Sequence, residues 1–194
     1  MTERVYGYDF EANARTDHFN PYYTDPFEIA FAGEGPDDTF SSLIYTDVPF
    51  SMWRQNKAKD GPTQEEVSRA PSRCDVVKSF TSFLRQRCST VDRCVLTGYN
   101  SESFDRPLLE RITKECGHQL PSNVVHVDLY REVQKRYESV PGGRTLTNVT
   151  KFLGRVDPTT VGPAHRALPD AKMTRIVYFA LFRSSDDSAK TKLA

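Results

Sequence analysis

Asp9 and Glu11 stand two residues apart in the stretch Val5-Tyr-Gly-Tyr-Asp-Phe-Glu-Ala-Asn13. The stretch opens with apolar, β-favouring residues, and in a strand the side chains at i and i+2 project from one face. Asp9 and Glu11 are therefore expected side by side, with Tyr8 and Phe10 turned the other way into a core. Two carboxylates ~4 Å apart repel by roughly 4 kcal/mol at an effective dielectric near 20. A bound cation or a shared proton relieves that repulsion, so the pair reads as a metal or acid–base site. Taken alone, it also reads as a strand that ends where it meets solvent.

Two more stretches carry groups of the same kind. In Gly98-Tyr-Asn-Ser-Glu-Ser-Phe-Asp-Arg-Pro-Leu-Leu109 a strand ends at Tyr99–Asn100, a tight turn follows, and Asp105 falls in the first turn of a helix. Acids are favoured there by the helix dipole, by a few tenths to ~1 kcal/mol, so Asp105 also has a purely structural reading. In Ala164-His-Arg-Ala-Leu-Pro-Asp-Ala171, His165 lies just outside a helix and Asp170 in its first two turns. A histidine in that place can equally be a cap.

The elements that must position these groups follow from periodicity and turn signals. Val5 to Phe10, Phe27 to Ala32 and Thr39 to Tyr45 read as three strands, the last two joined by a turn over Glu34–Asp38 and so antiparallel. A polar connector from Arg54 to Ala70 contains Asp60-Gly-Pro-Thr63, and Thr63-x-x-Glu66 has the form of a capping box. Ser72 is placed to cap a helix with a buried stripe of Val76, Val77, Phe80, Phe83 and Leu84. Arg93 to Tyr99 is a fourth strand, Glu102 to Cys116 a helix ended by Gly117, and Val124 to Asp128 a fifth strand. Helices over Leu129–Tyr137, Thr145–Leu153 (stopped by Gly154) and Ala167–Phe182 complete the pattern. Three antiparallel strands followed by strands alternating with helices is an α/β arrangement, whose sites form beyond the strand carboxyl ends. One domain over 1–183 is expected, with 184–194 a disordered polar tail.

Composition bounds the function classes. The chain has 194 residues, 38% hydrophobic and 27% charged, with 26 basic and 26 acidic residues. That balance argues against a protein that coats duplexes non-specifically, which needs a basic excess. No apolar run reaches the ~18 residues of a membrane helix, and the N-terminus lacks the features of a signal peptide. The four cysteines, Cys74, Cys88, Cys94 and Cys116, form no CxxC pair. They read as reduced structural thiols. A soluble intracellular protein, cytoplasmic and without membrane partners, is expected.

Taken in chain order, Asp9-Phe-Glu11, Tyr99-Asn100 with Phe104-Asp105, and His165-Arg-Ala-Leu-Pro-Asp170-Ala171 resemble the DEDD exonuclease superfamily. These are the DnaQ-like 3′–5′ exonucleases on an RNase H-like fold, and the likeness is to the histidine-containing DEDDh subgroup. Glu28-Ile-Ala30, Thr145-Leu146 and Phe152-Leu-Gly154 match further elements, and Asp60-Gly-Pro-Thr63 falls where the family has a Gly-Ile-Thr segment. The resemblance covers roughly residues 4–182. It implies a three-layer fold with a five-stranded mixed sheet, three antiparallel then two parallel strands, flanked by helices. Tyr99-Asn100, where the family often has His-Asn, is similar to exonuclease I, which digests single-stranded DNA. Ala12 and Asn13 stand where the family often has threonines that hold the terminal nucleotide.

The resemblance implies two divalent metal ions, Mg²⁺ or Mn²⁺, on Asp9, Glu11, Asp105 and Asp170, with Asp9 shared between them. Hard cations of this kind take oxygen ligands, and two of them can serve both sides of a phosphoryl displacement. His165 takes the role of general base, for which a reference pKa near 6.5 is suited. Substrate contacts are expected from Phe10, Ala12, Asn13, Tyr99, Asn100 and Arg166, with Lys151 and Arg155 as further phosphate candidates and Phe104 as a stacking or core residue. The partner is then nucleic acid at a single-stranded 3′ end. Whether a polymerase or another replication or repair protein joins it is unknown, and the chain is expected as a monomer or homodimer. Two rivals remain: an oligoribonuclease-like or RNA 3′-end enzyme, and a binding module that has lost catalysis.

Overall fold

Side-chain alternation along the first strand divides the molecule into its layers. The computed structural model describes residues 1–13, 20–48, 61–153, 157, 160–162 and 165–182. Strand β1 runs over Glu3–Asn13, longer than periodicity predicts at both ends. It pairs antiparallel with β2 (Asp25–Ala32), which pairs antiparallel with β3 (Thr39–Leu43). On its other edge β1 pairs parallel with β4 (Arg93–Gly98), and β4 with β5 (Val124–Asp128). The order is β3-β2-β1-β4-β5, the five-stranded mixed sheet that the sequence implies.

The even residues of β1, Tyr6, Tyr8, Phe10 and Ala12, are buried against α2 (Arg73–Cys88) and α3 (Asp105–Glu115). Val5 on the opposite face joins Val95 in a second core with α4 (Leu129–Arg136), α5 (Leu146–Phe152) and α6 (Ala167–Phe182). A short helix α1 (Gln64–Ser68) begins with the expected reciprocal capping box between Thr63 and Glu66. Ser72 caps α2 as its position predicts.

Two boundaries, at the third strand and at α3, move for physical reasons. The third strand stops at Leu43, after which Tyr45 N–H donates to the Pro71 carbonyl instead of to a strand partner. The turn before it closes as a 3₁₀ segment over Pro36–Asp38. Helix α3 begins at Asp105 and not at Glu102, because the Asp128 carboxylate accepts the Asn100 and Glu102 N–H groups and holds residues 100–104 in a turn.

The cysteines also depart from expectation. Cys74 is bonded to Cys116 and Cys88 to Cys94, so the reading of reduced thiols is corrected. Cys74 opens α2 and Cys116 follows α3. Packing of the two helices brings residues 42 apart in sequence to a Cα separation of 5.2 Å. The expected polar tail over 184–194, the boundary at 183, Gly154, Arg155 and Asp60 lie outside the described residues. Among the described residues no helix is long and apolar enough to cross a membrane.

Helix α6 lies unusually close to the sheet. A Cβ on Gly7 would stand 1.9 Å from the Ala171 carbonyl oxygen and 2.8 Å from Arg175 N. Ala30 and Ala32 of β2 meet Ala167 and Ala171 in the same layer, all buried. Small side chains let backbones approach, and an added methylene forces the helix off, which typically costs about 1–3 kcal/mol. Gly7→Ala is expected to lower thermal stability by that order in a melting experiment. Gly35→Ala, where the added Cβ meets nothing within 4 Å, is expected to leave the midpoint nearly unchanged.

Candidate active site

The carboxyl end of β1 and the first turns of α3 and α6 converge on one cavity of about 440 Å³. Its wall includes Asp9, Glu11, Asp105, His165 and Asp170, together with Phe10, Ala12, Tyr99 and Asn100. Strand pleating sets Asp9 and Glu11 on the α6 face, as alternation predicts. Asp105 reaches them from the other layer, where its Oδ1 accepts the Phe10 N–H at 3.2 Å. The strand and the helix are thus joined at the site itself.

Asp170 and His165 are tied to each other. His165 N–H donates to Asp170 Oδ2 at 3.3 Å, while Asp170 Oδ1 is buried without a hydrogen-bond partner. Ligand atoms of Glu11, His165 and Asp170 lie within 4.8 Å of one another. Two positions carry backbone strain. Asn100 and His165 both sit in the left-handed region, at φ 59° and 63°. Outliers of this kind cost about 1–3 kcal/mol unless the surroundings hold them, and they concentrate at functional sites.

Burial raises all four acids, and repulsion from the other cavity carboxyls adds to it at Asp9 and Glu11. Glu11 is pushed from the ordinary 4.5 up to about 8, first by burial and then by Asp170, Glu28 and Asp105. Asp105 is pushed up to about 7, mainly by burial, against the lowering pull of the Phe10 N–H. Asp170 is pushed up to about 6, again mainly by burial, with His165 pulling the other way. Asp9 is raised by burial and then by Asp105, Glu11, Asp170 and Glu28. Four carboxyls raised together, with one oxygen left unpartnered, are suited to hard divalent cations such as Mg²⁺ or Mn²⁺. Asp9, Glu11, Asp105 and Asp170 offer the oxygens, and His165 an imidazole beside two of them.

Not every expected contact assembles. Arg166, read from sequence as a substrate residue, turns its guanidinium to Glu28 in a fork with contacts of 3.0–3.2 Å. Asn13 is buried beside the cavity rather than in its wall, and neither amide atom has a hydrogen-bond partner. Lys151 is exposed on α5. Tyr99 lines the cavity with its hydroxyl donating to the Arg144 carbonyl at 2.8 Å. Phe104 lines the cavity while packing on the core.

Two residues that organise the site were not picked out as such in sequence. Glu28 lies opposite Glu11 in the β1–β2 ladder and is only 3% exposed. It fixes Arg166 and also accepts the Ala167 N–H at 3.4 Å, so the loop that carries His165 is anchored to β2. Its signal was a charge inside the apolar run Phe27-Glu-Ile-Ala-Phe31. Asp128 accepts three N–H groups, from Asn100, Glu102 and Tyr130, and so shapes the turn before Asp105. Its signal was an acid at the junction of a strand with a helix.

The fold has counterparts among known proteins. The RNase T family model, described as exonuclease, matches residues 27–178. A search of curated proteins returned no match. Among solved structures the chain is similar to E. coli exonuclease I in its zinc-bound complex with single-stranded DNA, at a TM-score of 0.66 and 16% identity over 96% of this chain. The chain spans 41% of that protein. It is also similar to the nuclease domain of 3′hExo, a DEDDh family member bound to rAMP, at a TM-score of 0.67 and 17% identity, covering 95% of this chain and 92% of that one. A third likeness, at a TM-score of 0.66 and 16% identity over 93% of this chain and 64% of the other, is to a 3′-exonuclease recognising the 3′ end of histone mRNA stem-loop.

The raised carboxyls set the sign of a pH effect. A carboxyl whose folded pKa exceeds its unfolded value contributes stability that is fully present below the unfolded value and lost as pH rises through the folded one. Glu11, Asp105 and Asp170, at about 8, 7 and 6, place that loss between about pH 4 and 8. The melting temperature of the protein in chelator is expected to fall across that window. Saturating Mg²⁺ is expected to reduce the fall, since a bound cation favours the ionised acids.

Proposed function

The chain belongs to the RNase T exonuclease family, and from that membership and the convergence of its five polar side chains we propose that it is a metal-dependent 3′–5′ exonuclease. It hydrolyses the terminal phosphodiester of a nucleic acid and releases nucleoside monophosphates. The observation that carries this reading is that Asp9, Glu11, Asp105, His165 and Asp170, drawn from three distant stretches, line one cavity.

The protein's own groups divide the work. Asp9, Glu11, Asp105 and Asp170 would hold two divalent cations, which supply Lewis-acid stabilisation of charge on the phosphate and leaving oxygen. His165 stands on the rim, exposed and tethered to Asp170 by its backbone N–H. It takes a proton from the attacking water as that water's oxygen bonds to phosphorus and the 3′ oxygen leaves. A positioned base typically contributes ~10²–10⁴-fold. Phe10, Ala12 and Tyr99 offer the cavity wall to the terminal nucleoside, and the strained Asn100 turn carries Phe104 and Asp105 toward it.

A single-stranded 3′ end is the preferred substrate, with DNA favoured by the likeness of Tyr99-Asn100 to exonuclease I. A second reading, an RNA 3′-end or oligoribonuclease-like enzyme, is supported by the match along nearly the whole nuclease domain of 3′hExo. The intact set of five side chains weighs against a binding module without catalysis. The enzyme acts as a monomer or homodimer. A cytoplasmic location, expected from the sequence, stands against the two disulfides, which are rare where thiols are kept reduced. Alkylation of fresh cell extract under denaturing, non-reducing conditions decides that point: four blocked cysteines support the cytoplasm, and none an oxidising compartment.

The activity is tested with 5′-labelled DNA and RNA oligomers, single- and double-stranded, in Mg²⁺ and Mn²⁺. A ladder shortening from the 3′ end is expected, and its absence on every substrate would sink the proposal. Asp9→Asn is expected to abolish cleavage. His165→Ala is expected to lower kcat by about 10²–10⁴-fold with Mn²⁺ binding retained in calorimetry. Lost Mn²⁺ binding would instead make His165 a ligand.

A further inference from the structure

Tyrosines exposed to water gather at the same end of the sheet as the cavity. Tyr22 is 64% exposed, Tyr23 73% and Tyr45 48%. Exposed aromatics are ordinary on a protein surface, so what matters is where these three stand. The β-ladder places this group. Ala12, in the cavity wall, pairs with Pro26, and Ile44 N–H reaches the Phe27 carbonyl at 2.8 Å, which sets Tyr45 beside Pro26. Two strand spacings of ~4.8 Å put Tyr45 about 10 Å from Ala12. Pro26 and Tyr45 share a cleft of about 280 Å³ with Asp25, Thr46, Asp47 and Arg73. Tyr22 and Tyr23 stand on the turn that leads into Asp25.

That turn is held firmly while its rings face solvent. Tyr23 N–H and Thr24 N–H both donate to the Asn20 carbonyl at 3.0 Å, and Tyr22 N–H donates to Asn20 Oδ1 at 2.9 Å. Arg111 reaches from α3 to donate to the carbonyls of Pro21 at 2.9 Å and Thr24 at 2.6 Å. Arg111 lies six residues beyond Asp105 on α3, ~9 Å along the helix axis. The anchor of the tyrosine turn and a cavity acid thus share one rigid element.

We propose that Tyr22, Tyr23 and Tyr45 form a landing surface on which unpaired bases of the substrate strand stack, upstream of the nucleotide held in the cavity. The inference rests on the exonuclease reading and adds to it where the strand runs. Bases fit this surface better than phosphates. Asp25 and Asp47 line the cleft, and Arg73 is drawn to Asp25 at 3.8 Å and Glu115 at 3.5 Å, so little positive charge is left for a backbone. Every base has a π-face, so stacking here is tolerant of sequence and requires a single strand.

The test compares wild type with two triple variants, Tyr22→Ala/Tyr23→Ala/Tyr45→Ala and Tyr22→Phe/Tyr23→Phe/Tyr45→Phe, after equal melting temperatures are verified. Kd for a labelled twenty-nucleotide single strand is read by anisotropy in chelator, and kcat and KM are read on that strand and on a dinucleotide in Mg²⁺. Loss of base–aromatic stacking predicts that the alanine variant weakens Kd and KM on the long strand by about ten- to a hundredfold. Its kcat, and its kcat/KM on the dinucleotide, are expected to stay at wild type, and the phenylalanine variant is expected to bind as wild type. Unchanged Kd in the alanine variant overturns the proposal. So does an equal loss on the dinucleotide, which would place the tyrosines in the cavity's own architecture. Failure of the exonuclease reading is separate: wild type would then cleave neither substrate, whatever the anisotropy reports.

Discussion

The approach of α6 to the sheet is the constraint on which the site depends. Position 7 has no room for a side chain, and the layer around it is built from Ala30, Ala32, Ala167 and Ala171. Because the helix lies this close, Asp170 in its first turn comes level with Asp9 and Glu11, two and four residues beyond Gly7 on the same face of β1. A wider separation would leave the three acids in separate environments and remove the reason for them to bind anything together. Packing of small residues is thus the mechanical origin of an electrostatic site.

The electrostatics run against folding and for function. Burial and crowding raise all four carboxyls, and a fifth, Glu28, lies directly across from Glu11. Arg166 offsets part of that charge through its fork to Glu28 and pulls Glu11 downward. The same fork anchors the loop in which His165 adopts its left-handed backbone. Perturbed acids in a cleft, next to strained backbone, are the pattern expected where structure is given up for chemistry. The scaffold compensates elsewhere, with two aromatic-rich cores and two disulfides that tie α2 to α3 and to β4.

Much of this was legible in the chain because it is local. Strand alternation placed Asp9 and Glu11 on one face and Phe10 on the other, and capping residues marked Thr63 and Ser72 as helix starts. The bounds of β5 and α6 follow directly from hydrophobic period and flanking signals. Asp105, His165 and Asp170 were readable as candidates only in company, since each alone has an ordinary structural explanation. What escaped notice depends on partners far away in sequence. Glu28 joins the site through strand register, Arg166 is turned to Glu28 by an ion pair across 138 residues, and Asp128 shapes a turn that precedes it by 28.

The sequence by itself determined the residue types, their order and their periods, and through these the α/β class, the strand pattern and the five polar groups of the cavity. Periodicity is a property of neighbours along the chain, so it needs no knowledge of the fold. The tertiary structure alone decided which carboxylate is balanced by which cation and which cysteines meet. Those outcomes turn on distances between layers and strands, and such distances are set by packing, at Gly7 above all.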